Sequence, residues 1–410
     1  MAKIGRASKR AMRCLVGIDD TDSSRGYCTT YLAYRIACDL GPGVTVLPYP
    51  RLVRLNPNIP FKTRGNAAVC LPIETRDPEA AFRKISAKVK ALADVEGGAN
   101  SGLVFLNDPA QASKFEPLYL EALAGVVSPH RVRRLVMELG ARSLELGNGM
   151  GIVGAASSLG FSARFDHTFE LISYRSQEFW GTRREIDSSS VRTMDAKTFP
   201  HTFNNYDYQK RKVLIAPHGP DPVFAGVRGD SPRMVISAFR MLRHDEPLQG
   251  YMVYSSNQHT DAHLQHELAW KVYSSGWIDG VVKGVQVGAG GHVYVSLRSG
   301  RTGRIAAAYE PTGDLRRVAR HLIPGDRVRA FGGVRRATSL HPAVLNLEKF
   351  ELLSLGKRRQ TIRLGTYISS PRANRHLTKP LIRYGRESHG PPAETEGWLE
   401  AAPTGPLVRA

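Results

Sequence analysis

The sequence predicts a multidomain α+β fold that ends in a small β-barrel with the strand order of an OB-fold. Its 410 residues suffice for several independent cores. Apolar runs of strand length alternate with helical spacing as far as about residue 270. Past Trp277 the pattern changes to three short β runs (DGVVKGVQV, HVYVSL, RIAAAY), the amphipathic DLRRVARHL, and two further β runs (DRVRAFGGV, AVLNLEKFELL). Three strands, a helix and two strands is the order of an OB-fold, a barrel that commonly binds oligonucleotides.

In chain order, RCLVGI (13–18) reads as a strand that runs into an acidic loop, Asp19-Asp20-Thr21-Asp22-Ser23. TTYLAYRIACDL (29–40) has helical spacing and is stopped by Gly41-Pro42-Gly43. VTVLPYPRLVRL is β-like and leads into a polar, proline-punctuated loop, Asn56 to Asn66. A helix over 78–93, the strand GLVFL (102–106) and a helix over about 129–145 follow. The turn Gly147-Asn148-Gly149-Met150-Gly151 opens another helix that runs through Gly160, and TFELISYR (168–175) is a strand. Residues 200–270 continue the alternation with polar loops, FNNYD (203–207) and APHGPDP (216–222). The Pro-, Ala- and Glu-rich residues 390–410 are expected to be a disordered tail.

Lys and Arg number 57 against 37 Asp and Glu, a net charge of +20. The surplus is clustered: residues 351–386 carry nine basic residues and one acid, and Arg327, Arg329, Arg335 and Arg336 form a second group. Such clustering points to a polyanion, because each phosphate neutralised releases a condensed counterion. No apolar run approaches the ~18 residues of a membrane span, so no membrane partner is expected. Four cysteines, at 14, 28, 38 and 70, include no CxxC pair, which argues against a disulfide scaffold or a thiolate zinc site and fits a reducing cytoplasm. Residues 1–11 are basic and lack a signal-peptide core; they read as an arm touching RNA or, preferably, as a start upstream of the strand that opens at Met12.

Asp19, Asp20 and Asp22 sit where an apolar strand ends, a usual place for active-site groups. Three carboxylates so close are favoured together when a cation such as Mg2+ with bound phosphates shares the site; a solvated turn with an Asx cap fits the spacing equally well. Thr29 either caps the following helix or accepts a phosphoryl group beside its N-terminus. The Gly147–Gly151 turn is neither a P-loop nor GxGxxG, yet its glycines would let amides approach phosphates. Lys62, Arg64 and Asn66 lie in the Pro-stiffened loop, suited to phosphate or RNA backbone or simply solvated. His259, Asp261, His263 and His266 fit a polar pocket built with Asn257 better than they fit a metal site.

Several strings together resemble the archaeal agmatinylcytidine synthetases that act on the minor isoleucine tRNA: GIDDTDSSRGYCTTYLA (17–33), YPRLVRLNPNIPFKTRGNAAV (49–69), GNGMGIVGA (147–155), DHTFELISYR (166–175), TFNNYD (202–207), APHGPDPVFAGVRG (216–229) and RHLTKPL (375–381). The resemblance runs in order from about Met12 to Arg386 and implies an ATP-dependent ligase. That enzyme would join agmatine to carbon-2 of the wobble cytidine, so that the anticodon reads AUA. The implied architecture is a basic extension (1–11), a kinase-like α/β domain (12–200), a ferredoxin-like domain (201–274), the OB-fold (275–355), a basic tRNA-contacting segment (356–389) and the tail (390–410). Asp19, Asp20 and Asp22 would hold magnesium and ATP, with Gly147, Asn148, Gly149, Gly151, Lys62 and Arg64 at the nucleotide. Thr29 matches the family's autophosphorylated threonine. Asn66, His218, Asp221, Asn257, Asp261 and His263 are the candidates for agmatine and cytidine, with Asp221 and Asp261 for the guanidinium and His218 for the proton of the attacking amine. Arg327, Arg335, Arg375, His376, Lys379 and Arg383 would contact tRNA. The family's cysteine-rich zinc ribbon has no counterpart before RHLTKPL, so no zinc is expected, and Lys357, Arg358 and Arg359 are read as partial substitutes. Two other readings stay open, a non-catalytic single-strand RNA binder and a small-molecule phosphotransferase.

Overall fold

A computed structural model describes residues 10–23, 25–62, 65–208, 210–310, 312–339, 342–356, 367–369 and 399–400. Arg64, Lys357, Arg358, Arg359, Arg375, His376, Lys379 and Arg383 lie outside the described residues, as do most of 1–11 and of 390–410.

One large mixed sheet organises the first two-thirds of the chain. Its order is Arg142–Glu145, Gly102–Leu106, Met12–Asp19, Ala67–Thr75, Arg51–Arg54, Leu248–Ser256, Thr168–Arg175, Val223–Gly229 and Thr202–Phe203. Neighbours along this path pair antiparallel except at one seam, where Arg51 and Leu52 run parallel to Ser255 and Ser256. Two antiparallel halves are therefore joined edge to edge. Side chains extend the seam beyond the strands: Asn257 accepts from the Arg54 amide at 2.7 Å and donates to the Arg54 carbonyl at 2.8 Å, so its amide acts as one more ladder residue. The Asn257 side chain also reaches Tyr119 Oη at 3.1 Å, which places it in the framework rather than in a substrate pocket.

Helices Thr29–Asp39 and Pro78–Leu92 cover one face of the first half, around Val16, Ile18, Leu32, Ile36, Ile85 and Phe105. Helices Glu116–Ala124, Pro129–Glu138 and Ile152–Gly160 cover the other face, around Leu15, Val104, Phe115 and Ile152. The second half carries helices Ser188–Thr198 and Pro232–Phe239. The strand Thr168–Arg175 is buried along its whole length, as a central strand covered on both faces must be. Its partners on the two sides come from residues 223–229 and 248–256, so this half-sheet is continuous across residue 200.

Two elements differ from the sequence expectation. The helix expected over about 129–145 ends at Glu138, because Gly140 takes φ +62°, and Arg142–Glu145 becomes an edge strand. The β-like stretch after Gly43 is broken by Pro48 and Pro50 into Val44–Val46 and Arg51–Arg54.

The C-terminal region is a closed five-stranded barrel: Ser275–Val287, Val293–Ser299, Thr302–Ala308, Arg327–Arg335 and Val344–Ser354, with helix Asp314–Ala319 before the fourth strand. Parallel pairing of Ala306 with Leu345 and Ala307 with Asn346 shuts it. Polar side chains dock it on the sheet. Asn56, fully buried, donates to the Tyr273 carbonyl at 2.6 Å, and Asn58 donates to Ser275 Oγ at 2.8 Å. Asp261 accepts from Lys349 Nζ at 2.6 Å, and His263 Nε2 lies 3.1 Å from Glu348 Oε2. Both partners are on the last barrel strand, so Asp261 and His263 belong to this junction and not to the substrate pocket expected of them.

Burial disfavours a charged His263, but the Glu348 carboxylate, its hydrogen bond and the nearby Asp261 outweigh burial and the Lys349 charge, and the net shift is upward from 6.5. A group raised in the folded state stabilises it below the unfolded value and ceases to do so as pH passes the folded value. The junction is therefore expected to lose stability as pH rises from about 6.5. His263→Gln should flatten that part of a thermal-unfolding pH profile; an unchanged slope would show that the pair contributes nothing.

Candidate active site

The acidic loop is built by close backbone approach. Helix Ile152–Gly160 is a run of small residues lying on strand Met12–Asp19. A Cβ on Gly17 would come within 1.9 Å of the Ala155 carbonyl, and one on Gly154 within 1.8 Å of Asp19 Oδ2. Only glycine at 154 leaves room for the Asp19 carboxylate against this helix. Asp20 takes φ +53° and is fixed by Ser101, whose hydroxyl donates to its carbonyl at 2.9 Å, and by the Asn100 amide, 3.3 Å from Oδ2. Farther along, Asp94 accepts from Ser23 and from Arg25 Nε at 3.2 Å. The Arg25 hydrogen bond, then that of Ser23, holds the Asp94 carboxyl below its usual value.

Asp19 is the reverse case. Burial first, then the Asp20 charge and to a lesser degree Asp22, raise it well above the ordinary carboxylate value, against one hydrogen bond from the Asp20 amide at 2.8 Å. Among the described residues no group of three or more His, Cys, Asp or Glu side chains converges as a ready-made metal site, the aspartate trio included.

Thr29 is the first residue of its helix and 5% exposed; the cap position belongs to Cys28, which makes no side-chain cap bond. Capping is thus not what Thr29 does. Its Oγ1 accepts from Thr21 Oγ1 at 3.0 Å, tying the helix start to the acidic loop.

These groups share one cavity of about 480 Å³ with Lys62, Asn66, Gly151 and Asp221. Asn66 takes φ +45° and donates to the Asn56 carbonyl at 2.7 Å. Lys62 is exposed and its ammonium donates to the Pro57 carbonyl. Arg184 gathers the loop that carries Asp221, donating to the carbonyls of Pro217, Gly219, Asp221 and Val223 at 2.7–2.9 Å, with its guanidinium 3.6 Å from Asp221 Oδ1.

Other expected residues are elsewhere. His218 is exposed and is not on the cavity wall. Gly147, Asn148 and Gly149 are also off the wall, and the turn spends its amides internally: Asn148 N donates to Asn100 Oδ1, Gly149 N to Leu146, Met150 N to Asn148 Oδ1 and Gly151 N to Asn100, at 2.8–3.1 Å. The expected phosphate cradle is therefore a connector here, and of its residues Met150 and Gly151 reach the cavity wall. Arg327 and Arg335 are exposed at the two ends of one barrel strand.

Sequence reasoning missed a buried charge cluster on the same wall. Glu170, 2% exposed, lies 3.0 Å from Arg228 Nε and 3.6 Å from an Arg54 nitrogen. The signal was present in TFELISYR: a carboxylate in the middle of an otherwise uniformly buried strand needs cationic partners.

Comparisons with known proteins give the family of the chain. The family described as the TiaS TCKD domain matches residues 15–148 and that described as the TiaS FLD domain matches residues 149–263. The chain belongs to the TiaS family. The two matches meet within the glycine turn, earlier than the 200/201 division expected from the sequence. The isoleucine-tRNA 2-agmatinylcytidine synthetase TiaS of Cenarchaeum symbiosum is 42% identical over 341 residues, 82% of this chain and 76% of that protein. The solved complex of TiaS with its isoleucine tRNA and ATP superposes with a TM-score of 0.80 at 31% identity, covering 92% of this chain and 99% of that one. The complex of TiaS with the same tRNA, AMPCPP and agmatine gives the same TM-score, identity and coverage.

Two substitutions probe this site. Gly154→Ala should displace the Asp19 carboxylate, costing about 1–3 kcal/mol in stability and weakening nucleotide binding in calorimetry; wild-type values for both would show that the carboxylate moves freely. Glu170→Ala strands two cations on one wall and should cost about 3–5 kcal/mol, whereas Glu170→Gln should cost less; equal melting temperatures for all three proteins would dismiss the cluster as a stabilising feature.

Proposed function

We propose that this protein is a 2-agmatinylcytidine synthetase of the minor isoleucine tRNA, a ligase that uses ATP to join agmatine to carbon-2 of the wobble cytidine. The carrying observation is one cavity in which a carboxylate cluster, a buried threonine and a cationic cluster meet, in a chain of the TiaS family. Carbon-2 of cytosine bears a poor leaving oxygen, so that oxygen is first phosphorylated at the expense of ATP. The neutral amine of agmatine then attacks carbon-2; as the C–N bond forms the nitrogen gives up a proton, and the C–O bond breaks with the oxygen leaving as phosphate. Chemistry of this kind needs a site that excludes water and a base taken out of its stack.

In this reading the first two-thirds of the chain comprise a kinase-like unit followed by a ferredoxin-like unit, and the closed barrel is an OB-fold. Asp19, Asp20 and Asp22 handle the nucleotide. A magnesium ion would suit the set, since it takes one or two carboxylates and completes its shell with water and phosphate oxygens, and the raised Asp19 is a group that a cation would relieve. Asp19 with Asp20 or Asp22 would hold it, and bound there it would neutralise charge on the phosphates. Thr29 takes up a phosphoryl group, a role supported by its burial and its link to Thr21. Asp221 and Asn66 face the substrates. Barrel residues Arg327 and Arg335, with the basic segment beyond the barrel, grip tRNA in a cytoplasmic setting; among the described residues no helix is long and apolar enough to cross a membrane. A pure RNA binder or a small-molecule phosphotransferase is not favoured, because TiaS is solved with tRNA and ATP and with tRNA, AMPCPP and agmatine.

Incubation with the minor isoleucine tRNA, ATP and agmatine followed by mass spectrometry of the wobble nucleoside should detect agmatinylcytidine, and none when agmatine or ATP is omitted. Thr29→Ala should remain folded, at a somewhat lower melting temperature for the lost Thr21 contact, and lose product, with Thr29→Ser recovering part of it. Full activity of the alanine variant would remove Thr29 from the mechanism.

A further inference from the structure

The cavity mouth carries an apolar feature that the catalytic groups leave unused. Phe61 is 60% exposed and Val126 50% exposed, and both lie on the cavity wall beside Ile59. Burying an apolar side chain of this size is worth about 1.5–3 kcal/mol, so a phenylalanine left in water by an otherwise anchored loop invites a reason.

The loop is anchored. Asn56 and Asn58 are hydrogen-bonded to Tyr273 and Ser275 of the barrel side, and Asn66 donates back to the Asn56 carbonyl at 2.7 Å. A Cβ on Gly333 would overlap Asn58 Nδ2 at 1.7 Å, so the barrel backbone is pressed directly against this loop. Phe61 meets Tyr273 edge-on, with ring centroids 6.5 Å apart, a contact that covers little of its faces. Tyr273 in turn lies under the Arg336 guanidinium, 6.0 Å from its centroid. An exposed ring is thus held between the cavity and a cationic part of the barrel, with Lys62 next to it in sequence.

We propose that Phe61 is a stacking platform for the nucleobase that flanks the wobble cytidine in the anticodon loop. The inference rests on the function proposed above. When one base leaves its stack to enter the cavity, its neighbour loses a stacking face. An aromatic ring at the mouth replaces that face, and the sugar-phosphate chain then runs toward cations of the barrel side. Stacking on a side chain is sequence-tolerant and is the usual way single-stranded RNA is held. Phe61 is here a positioning residue: it touches the neighbour, not the reacting atoms.

The test uses the full chain and the minor isoleucine tRNA carrying 2-aminopurine next to the wobble position. Binding to the wild-type protein should change 2-aminopurine fluorescence. Phe61→Leu should abolish that change and raise the tRNA KM by roughly tenfold, with the KM values for ATP and agmatine unmoved; Phe61→Trp should restore both signals. A tRNA KM for Phe61→Leu within twofold of wild type, or no fluorescence difference between the two, would overturn the proposal. The fluorescence arm needs no turnover, so a protein that forms no agmatinylcytidine yet shows Phe61-dependent fluorescence would refute the ligase reading while supporting the stacking site.

Discussion

Contact between helix Ile152–Gly160 and strand Met12–Asp19 is the constraint from which the site follows. Where a helix carries ordinary side chains, its axis stands well off a sheet. Here Gly17 and Gly154 remove the side chains at the two tightest points, and Ala155 and Ser158 fill the rest. The end of the strand is consequently held under the helix start, with its carboxylate partly buried against the helix on the cavity wall. That burial raises Asp19, with repulsion from Asp20 and Asp22 adding to it. A carboxylate partly withdrawn from water beside two others is costly to fold, and such a cost is tolerated where a charged ligand relieves it.

The rest of the wall depends on the parallel seam. It is a short join, two residue pairs long, and polar side chains lengthen it. Asn257 bridges to Arg54, while Thr168 donates to the carbonyls of Ser256 and Gln258 at 3.1 and 2.9 Å. Arg54 lies at the end of the seam, and the Glu170–Arg228 pair lies on the adjoining half-sheet. The buried carboxylate therefore draws together side chains from both halves, so that cavity and sheet are stabilised by the same contacts.

Much of this was legible in the sequence, for identifiable reasons. The barrel was readable because each strand is short, alternates in character and is bounded by turn residues, and because DLRRVARHL separates the third strand from the fourth. The acidic loop was readable because carboxylates following an apolar run stand out. Three things were not. The internal use of the amides at 147–151 depends on Asn100, far away in sequence, whose side chain caps the turn. The roles of Asp261 and His263 depend on Lys349 and Glu348, which a histidine-rich spacing cannot reveal. Arg142–Glu145 looked helical because propensity alone does not register a positive φ at Gly140. In each case a long-range partner or a backbone conformation overrode the local pattern.

Charge is divided within the cavity, and the division fits the proposed chemistry. Agmatine is a dication and ATP a polyanion, and a wall of one sign would retain one and repel the other. Asp221 and Glu170 are both buried and already face Arg184 and the Arg54–Arg228 pair. The Asp221–Arg184 pair is neutral and the Glu170 cluster carries one surplus positive charge, so neither draws a free cation, and their fixed orientation suits holding hydrogen bonds in place. In the aspartate trio, by contrast, mutual repulsion adds to burial, as the upward shift of Asp19 records. Of the groups on this wall it therefore has the most to gain from a bound cation, and a nucleotide bearing one would be drawn to that end. The preorganised ion pairs would then be left to orient the uncharged base and the amine that attacks it.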